Sequence, residues 1–402
     1  MSGRRILLIG IGVVLAVATL FPLRYEQYLV ATGSMAPTIL GKHRSCDCPK
    51  CGYRVVVGSA APDLFKAYCP NCGHDDLRLI DAADQSGDIV NVDLWAYTFA
   101  SPKRWQIALF QRGDQTMVKR IVGLPGEAVE VRQGDLWIDG KRSRKSFAEV
   151  VAMKQELFDD SHVAHPSRRP GPMFDGAAKP QTWTFSQQLS DASQYRPLLD
   201  EYAYEGSSRA DAEPVHDFVA EFDFAMLDVG ATLRIALTDG GDVVEAALPR
   251  SGLLEIRTRQ GTLQGGDTDF TIQASIPLCP LRIGEQHLAT FAFVDRRVHI
   301  AIDGVPVAEP FDLPDPVARK PVVHPVRLTV EGGRVRVDRM RLARDVHYRP
   351  QGMVGQAVRL GGSEYFVLGD HSPVAEDSRN WLEPAVRRRD LLGRVLDLKR
   401  SR

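Results

Sequence analysis

The chain has 402 residues, more than one small domain needs, with 44% hydrophobic and 25% charged residues, the proportions of an ordinary globular protein. Fifty Lys and Arg against 51 Asp and Glu leave a formal net charge of −1, which argues against a general nucleic-acid surface. The 34 Gly and 25 Pro point to short strands and turns rather than long helices.

In chain order, Arg4 and Arg5 precede an uncharged run from Ile6 to Phe21, which Pro22 and Leu23 lengthen before Arg24 ends it. The run is just long enough to cross a bilayer. A cleaved secretory signal is the competing reading, since Ala16-Val17-Ala18 offers a small-x-small site. Either way Arg4 and Arg5 stay in the cytoplasm and the rest lies outside. The residues directly after the run favour a retained anchor.

Next comes Gly33-Ser34-Met35-Ala36-Pro37-Thr38. Gly33 lets a substrate backbone approach, and Pro37 stiffens the turn that presents Ser34. Alone, such a loop reads as an ordinary turn.

Cys48-Pro49-Lys50-Cys51-Gly52 and Cys69-Pro70-Asn71-Cys72-Gly73 are matching knuckles. Thiolates with two residues between them on a tight turn share one ion, and each glycine permits the turn's unusual φ. Two knuckles predict a closed, structural Cys₄ zinc site through Cys48, Cys51, Cys69 and Cys72, as in zinc ribbons. An oxidising exterior supports the alternative, disulfides. Cys46 and Cys279 remain, and Cys279 is expected to be a buried apolar residue.

Alternating segments at 88–92, 106–110, 117–122, 128–131 and 136–138 predict successive strands with Gly-Asp and Asp-Gly turns. Lys119 and Arg120 stand inside the third of these. Neighbours in a strand face opposite ways, so one of them points to a core or cleft. A buried, unpartnered lysine loses its proton because burial penalises the ammonium, and its neutral amine then accepts a proton from a serine hydroxyl. A snorkelling or salt-bridged lysine is the alternative. Trp95, Tyr97, Phe99 and Trp105 read equally as core or as an aromatic patch at the bilayer surface.

Beyond 143 the texture changes. Phe218, Ala220, Phe222 and Phe224 alternate with Val219, Glu221 and Asp223, and similar alternation runs from Leu288 to Ile302, closing on Asp303-Gly304. Val335 and Val337 belong to a further strand, and the set predicts a β-sandwich. Strand character resumes at 356–360 and 365–368. A dense polar loop comes after, Gly369 to Trp381, in which Asp377 and Arg379 suit a structural ion pair. The tail from Leu396 is too polar for a second membrane span.

Taken together, the anchor, Ser34-Met35-Ala36-Pro37-Thr38, Gly87-Asp88-Ile89-Val90, the box Lys119 to Glu127 and the box Gly369 to Arg379 resemble the type I signal peptidase family in order and content. The resemblance implies a mainly β fold: an N-terminal transmembrane helix (1–23) and a β-rich core (24–44, 81–144 and 350–402). Into this core are set a zinc-ribbon-like insertion (45–80) and an inserted segment with a β-sandwich (145–349). The sandwich is similar to concanavalin-like, laminin-G-type folds, with Val298 to Gly304 resembling a recurring strand-turn.

The implied activity is that of a membrane-bound serine endopeptidase removing N-terminal signal peptides from secreted preproteins with small residues at −1 and −3. Its nucleophile would be Ser34 and its general base Lys119. The oxyanion donors would be the Ser34 backbone N–H and the Thr32 hydroxyl, and Gly369, Asp370, Asp377, Ser378 and Arg379 would have structural roles. No cofactor is implied for catalysis. The implied partners are preproteins and the lipid bilayer, not nucleic acid, with a single pass through the cell membrane and the catalytic part outside. Two departures stand out. His371 replaces a common Asn, and Ala375 replaces a common Ser that orients the lysine. Ala375 keeps open an alternative, a catalytically inactive relative acting as a membrane-tethered binding module.

Overall fold

The period-two hydrophobic pattern is realised almost entirely as strands. The computed structural model describes residues 24–62, 64–65, 67–162, 173–186, 196–206, 210–263, 269–353 and 355–400. The run Ile6 to Phe21, expected to be an anchor, lies outside them. Among the described residues no helix is long and apolar enough to cross a membrane; Ala96–Phe99 and Phe147–Met153 are short α-helices.

One antiparallel sheet has seven strands, in the order Tyr25–Leu29, Ile89–Asp93, Leu391–Lys399, Ile107–Arg112, Gln115–Gly123, Glu364–Leu368 and Val386–Arg387. The C-terminal strand Leu391–Lys399 sits inside this sheet. Its register shifts twice, between Leu391 and Gly393 and between Val395 and Asp397. Such bulges break the alternation by which a strand is read from sequence. On one face Val90, Val92 and Leu109 pack with Met35 and Ile39 of the serine loop. Farther along the sheet, Val122 of the strand Gln115–Gly123 and Phe366 pack with Val129, Val131 and Leu136, which belong to a four-stranded sheet with Val358–Arg359 and Lys141–Arg142.

The sandwich consists of two antiparallel sheets. The first runs Gln155–Asp159, Arg334–Arg344, Phe218–Met226, His287–Val294, Arg297–Ile302 and Val305–Pro306, and the second Gln181–Thr184, Val326–Glu331, Thr232–Thr238, Asp242–Pro249, Gly252–Gln260 and Thr271–Leu278. Phe218, Ala220, Phe222 and Phe224 line the core between them; truncating one such Phe to Ala typically costs about 3–5 kcal/mol. Val219 points the other way yet is also buried, because helix Phe147–Met153 covers it through Val150. Ser146 and Glu149 start that helix with a capping box, satisfying two otherwise unpaired N–H groups. At Asp139–Gly140 and Asp303–Gly304 both turn residues have positive φ, the backbone that type I′ hairpins require.

Sandwich and seven-stranded sheet meet across a polar seam. Lys145 Nζ lies 3.0 Å from Asp295 Oδ2, 2.6 Å from Asp345 Oδ2 and 4.5 Å from the Trp105 ring centre. Arg349 holds Asp200 with two hydrogen bonds. The aromatic cluster divides: Tyr97 and Trp105 are buried, whereas Phe99 is 65% exposed and stacks on half-buried Trp95. Cys279, expected in a core, is exposed, because it comes directly after Thr271–Leu278, a strand at the edge of its sheet.

Candidate active site and metal centre

Strand Gln115–Gly123 presents Lys119 and Arg120 on opposite sides, as strand geometry demands, and both are buried, at 2% and 4% exposure. The two cations meet different surroundings. Arg120 forms a double hydrogen bond with the Asp370 carboxylate, Nε to Oδ1 at 2.8 Å and Nη2 to Oδ2 at 2.5 Å. Its Nη1 donates to the Trp105 carbonyl at 2.8 Å; Trp105 has φ 70°, a left-handed backbone that a bulky residue seldom adopts. Asp370 also accepts from Thr38 Oγ1 at 2.5 Å. The Arg120–Asp370 pair thus ties the lysine strand, the serine loop and the polar loop together.

Lys119 Nζ, by contrast, hydrogen-bonds Ser34 Oγ. Burial pushes its ammonium down from the ordinary 10.5 to about 8; Asp377 pulls it back up and Arg379 pushes it further down. A lysine so placed is neutral in about a tenth of molecules at pH 7, far more than an exposed lysine. Ser34 itself is half-buried, and Thr32, exposed, brings Oγ1 to 3.5 Å from Ser34 Oγ. Ser34 and Lys119 therefore form one hydrogen-bonded unit, with the Thr32 hydroxyl beside it.

The serine loop is held by packing and by backbone contacts. Ala36 N–H donates to Gly33 O at 2.9 Å and Ile39 N–H to Met35 O at 2.9 Å, while Met35, Ala36 and Ile39 are fully buried. The polar loop closes over it. Gly369 passes so near that an added Cβ would lie 2.4 Å from Ser34 O and 2.5 Å from Ala375 Cβ; here glycine is needed for close approach.

Asp377 supports that loop. It accepts from Gly369 N–H at 2.9 Å and pairs with Arg379, Nε to Oδ1 at 2.8 Å and Nη2 to Oδ2 at 2.6 Å. Ser378 Oγ accepts from Val367 N–H at 2.9 Å. Ser372 Oγ accepts from Arg349 N–H at 2.8 Å and from Arg379 Nη1 at 2.7 Å. Both hydroxyls are thus engaged away from Lys119, and Ala375 is buried without one.

Sequence reading did not connect Arg120 to Asp370, nor find the contribution of residues 202–205. Tyr202 Oη donates to Asp370 O at 3.0 Å and Tyr204 Oη to Lys42 O at 3.1 Å. His371, noted only as a departure, is buried with Nδ1 3.1 Å from Gly33 O and Nε2 3.2 Å from Glu205 Oε1. No local pattern announces these contacts, since partners lie far apart in the chain.

The four knuckle cysteines converge, with all four Sγ atoms within 4.8 Å of one another. Cys48 and Cys72 are 3.6 Å apart, as are Cys51 and Cys69. A tetrahedral zinc with Zn–S near 2.3 Å spaces its sulfurs roughly 3.8 Å apart, whereas a disulfide needs about 2.0 Å. The arrangement fits a metal ion. Both knuckles share one geometry: Gly52 and Gly73 have φ of 72° and 74° and donate to Cys48 O and Cys69 O at 2.8 Å.

Residues 80–189 match the family model described as signal peptidase, peptidase S26. Over 64 residues the chain is 31% identical to signal peptidase I V of Bacillus subtilis (strain 168), a stretch covering 16% of this chain and 38% of that protein. The chain thus spans well under half the length of the curated relative that it matches. The matched family segment contains Lys119 but not Ser34, and it takes in the sandwich strands Gln155–Asp159 and Gln181–Thr184 while ending before Phe218–Met226. Among solved structures, galectin LEC-6 of Caenorhabditis elegans covers 42% of this chain and 95% of its own, at 13% identity and TM-score 0.25. The carbohydrate binding module CBM66 of Bacillus subtilis covers 40% and 91%, at 14% identity and TM-score 0.23. At these scores the two β-structures carry no functional inference.

Proposed function

We propose that this protein is a membrane-anchored serine endopeptidase that removes N-terminal signal peptides from secreted preproteins. The observation that carries the proposal is the hydrogen bond between Lys119 Nζ and Ser34 Oγ, with the lysine buried and the serine half-exposed. The signal peptidase match over 80–189 supplies the substrate class. Under this reading residues 1–23 are the anchor, with the remainder on the extracytoplasmic side. Residues 24–44, 81–144 and 350–402 are the catalytic core.

In the reaction, neutral Lys119 takes the proton of Ser34 as its Oγ attacks the carbonyl carbon of the residue at −1. Negative charge develops on the former carbonyl oxygen. The Ser34 N–H and Thr32 hydroxyl stabilise it, each such fixed donor being worth about 3 kcal/mol of barrier. The Lys119 ammonium then gives its proton to the leaving amine, and the acyl-enzyme forms. Water, deprotonated by the same lysine, releases the signal peptide and restores Ser34. Burial keeps Lys119 ready for this cycle. Gly369, Asp370, Asp377, Ser378 and Arg379 hold the loop that backs the serine. Cys48, Cys51, Cys69 and Cys72 hold a structural zinc that takes no part in the chemistry. Cleavage of a preprotein by the purified full chain, and its loss in Ser34→Ala, is the test.

A further inference from the structure

We propose that the inserted segment supplies positioning residues for the nucleophile: its Glu205 and Tyr204 hold His371 of the polar loop as a clamp on the Gly33–Ser34 backbone. The proposal rests on the reading of Ser34 as nucleophile.

His371 grips two consecutive carbonyls: its backbone N–H donates to Ser34 O at 3.1 Å, and its ring Nδ1 donates to Gly33 O at 3.1 Å. The far ring nitrogen, Nε2, faces Glu205 Oε1 at 3.2 Å. The ring is held by the Gly33 carbonyl at Nδ1, while its far edge lies against the Glu205 side chain. Tyr202 and Tyr204 complete the enclosure, with ring centres 4.5 and 5.9 Å from the imidazole. Tyr204 also presses directly on the serine loop, since a Cβ on Gly33 would lie 2.1 Å from its Cε1. All four side chains are at least nine-tenths buried, so the clamp is a packed element of the fold.

Glu205 and both tyrosines belong to the stretch 196–206, which precedes the sandwich strand Phe218–Met226. The inserted segment therefore touches the backbone on which the nucleophile is mounted, and the orientation of Ser34 depends on it. Misplacing a reacting group by about 1 Å costs on the order of a hundredfold in rate.

The test compares full-length wild type with His371→Ala, His371→Asn and Glu205→Gln. Preprotein kcat and KM are measured, together with hydrogen exchange at the Ala36 amide, which bonds Gly33 O. His371→Ala is expected to lower kcat by about tenfold or more with KM changed less than about twofold, and to speed Ala36 exchange by about tenfold. His371→Asn, whose amide donates to the same carbonyl, recovers most of both losses, and Glu205→Gln gives a smaller loss of about threefold. Unchanged exchange at Ala36 in His371→Ala overturns the clamp whatever the activity. Should that variant fail to melt cooperatively, Glu205→Gln carries the same decision, with unchanged exchange overturning the clamp. If wild type cleaves no preprotein, the functional reading falls, while the exchange measurement still decides the clamp.

Discussion

Lys119 Nζ hydrogen-bonds Ser34 Oγ across 85 positions of sequence. Three local causes converge on that contact. Strand alternation aims Lys119 away from Arg120, burial of Met35 and Ile39 fixes the serine loop to the sheet, and Gly369 allows the polar loop to close behind Ser34.

The first consequence is a pH profile. In the proposed mechanism the base works as the neutral amine, and burial holds Lys119 at about 8. Below that value log kcat/KM should rise with a slope of about one per pH unit, then level off above it. Initial rates of preprotein cleavage from pH 6 to 10 measure this. A flat profile across pH 6–9 contradicts Lys119 as the titrating base.

The same burial has a cost in stability. The folded-state value near 8 lies below the ordinary 10.5, so between these values the unfolded chain binds more protons and stability rises with pH. Below about pH 8 the penalty is constant, on the order of 3 kcal/mol. Lys119→Met should therefore be more stable than wild type at pH 7, by roughly 1–3 kcal/mol after the lost Ser34 contact, with the gain shrinking towards pH 10. Thermal melts at the two pH values provide the comparison. A destabilised Lys119→Met at pH 7 refutes the argument.

Gly369→Ala is expected to reduce kcat by about a hundredfold, because the new Cβ would meet Ser34 O at 2.4 Å and Ala375 Cβ at 2.5 Å. The displaced atoms carry Ser34, the proposed nucleophile. Steady-state kinetics on folded protein decide it, and a loss below about threefold would show that the loop gives way without moving Ser34.

Much of this was legible because the signals are local. Alternation marked Ile89–Asp93, Gln115–Gly123 and Phe218–Met226, and the Cys-Pro-x-Cys-Gly repeats marked the knuckles that the structure brings together. Lys119 stood out as a cation inside an apolar strand. Arg120 stood beside it just as plainly, but its partner Asp370 is 250 positions away, and a bidentate ion pair leaves no periodic trace. Leu391–Lys399 escaped because its two bulges disturb the period by which strands are read. Tyr202, Tyr204 and Glu205 escaped because their importance lies wholly in tertiary contacts with Gly33, Asp370 and His371.

The knuckles make a separate prediction. Protein purified without added metal should contain one zinc per chain, and Cys51→Ser or Cys69→Ser should lose it. Metal analysis by mass spectrometry reads the stoichiometry. Two disulfides and no metal would contradict the site. Removal of zinc by a chelator should loosen Val55, Val57, Leu77 and Leu79, which pack with the cysteines, and leave the Lys119–Ser34 contact to the separate packing of Met35 and Ile39.

The central claim is that Ser34 and Lys119 together cleave preproteins. The most direct measurement incubates a purified preprotein with wild type, Ser34→Ala and Lys119→Met, and reads product masses and new N-termini. The account predicts one cut after a small residue by wild type, and loss of at least about a thousandfold in each variant while its fold persists. Cleavage retained by either folded variant, or none by wild type, would contradict it.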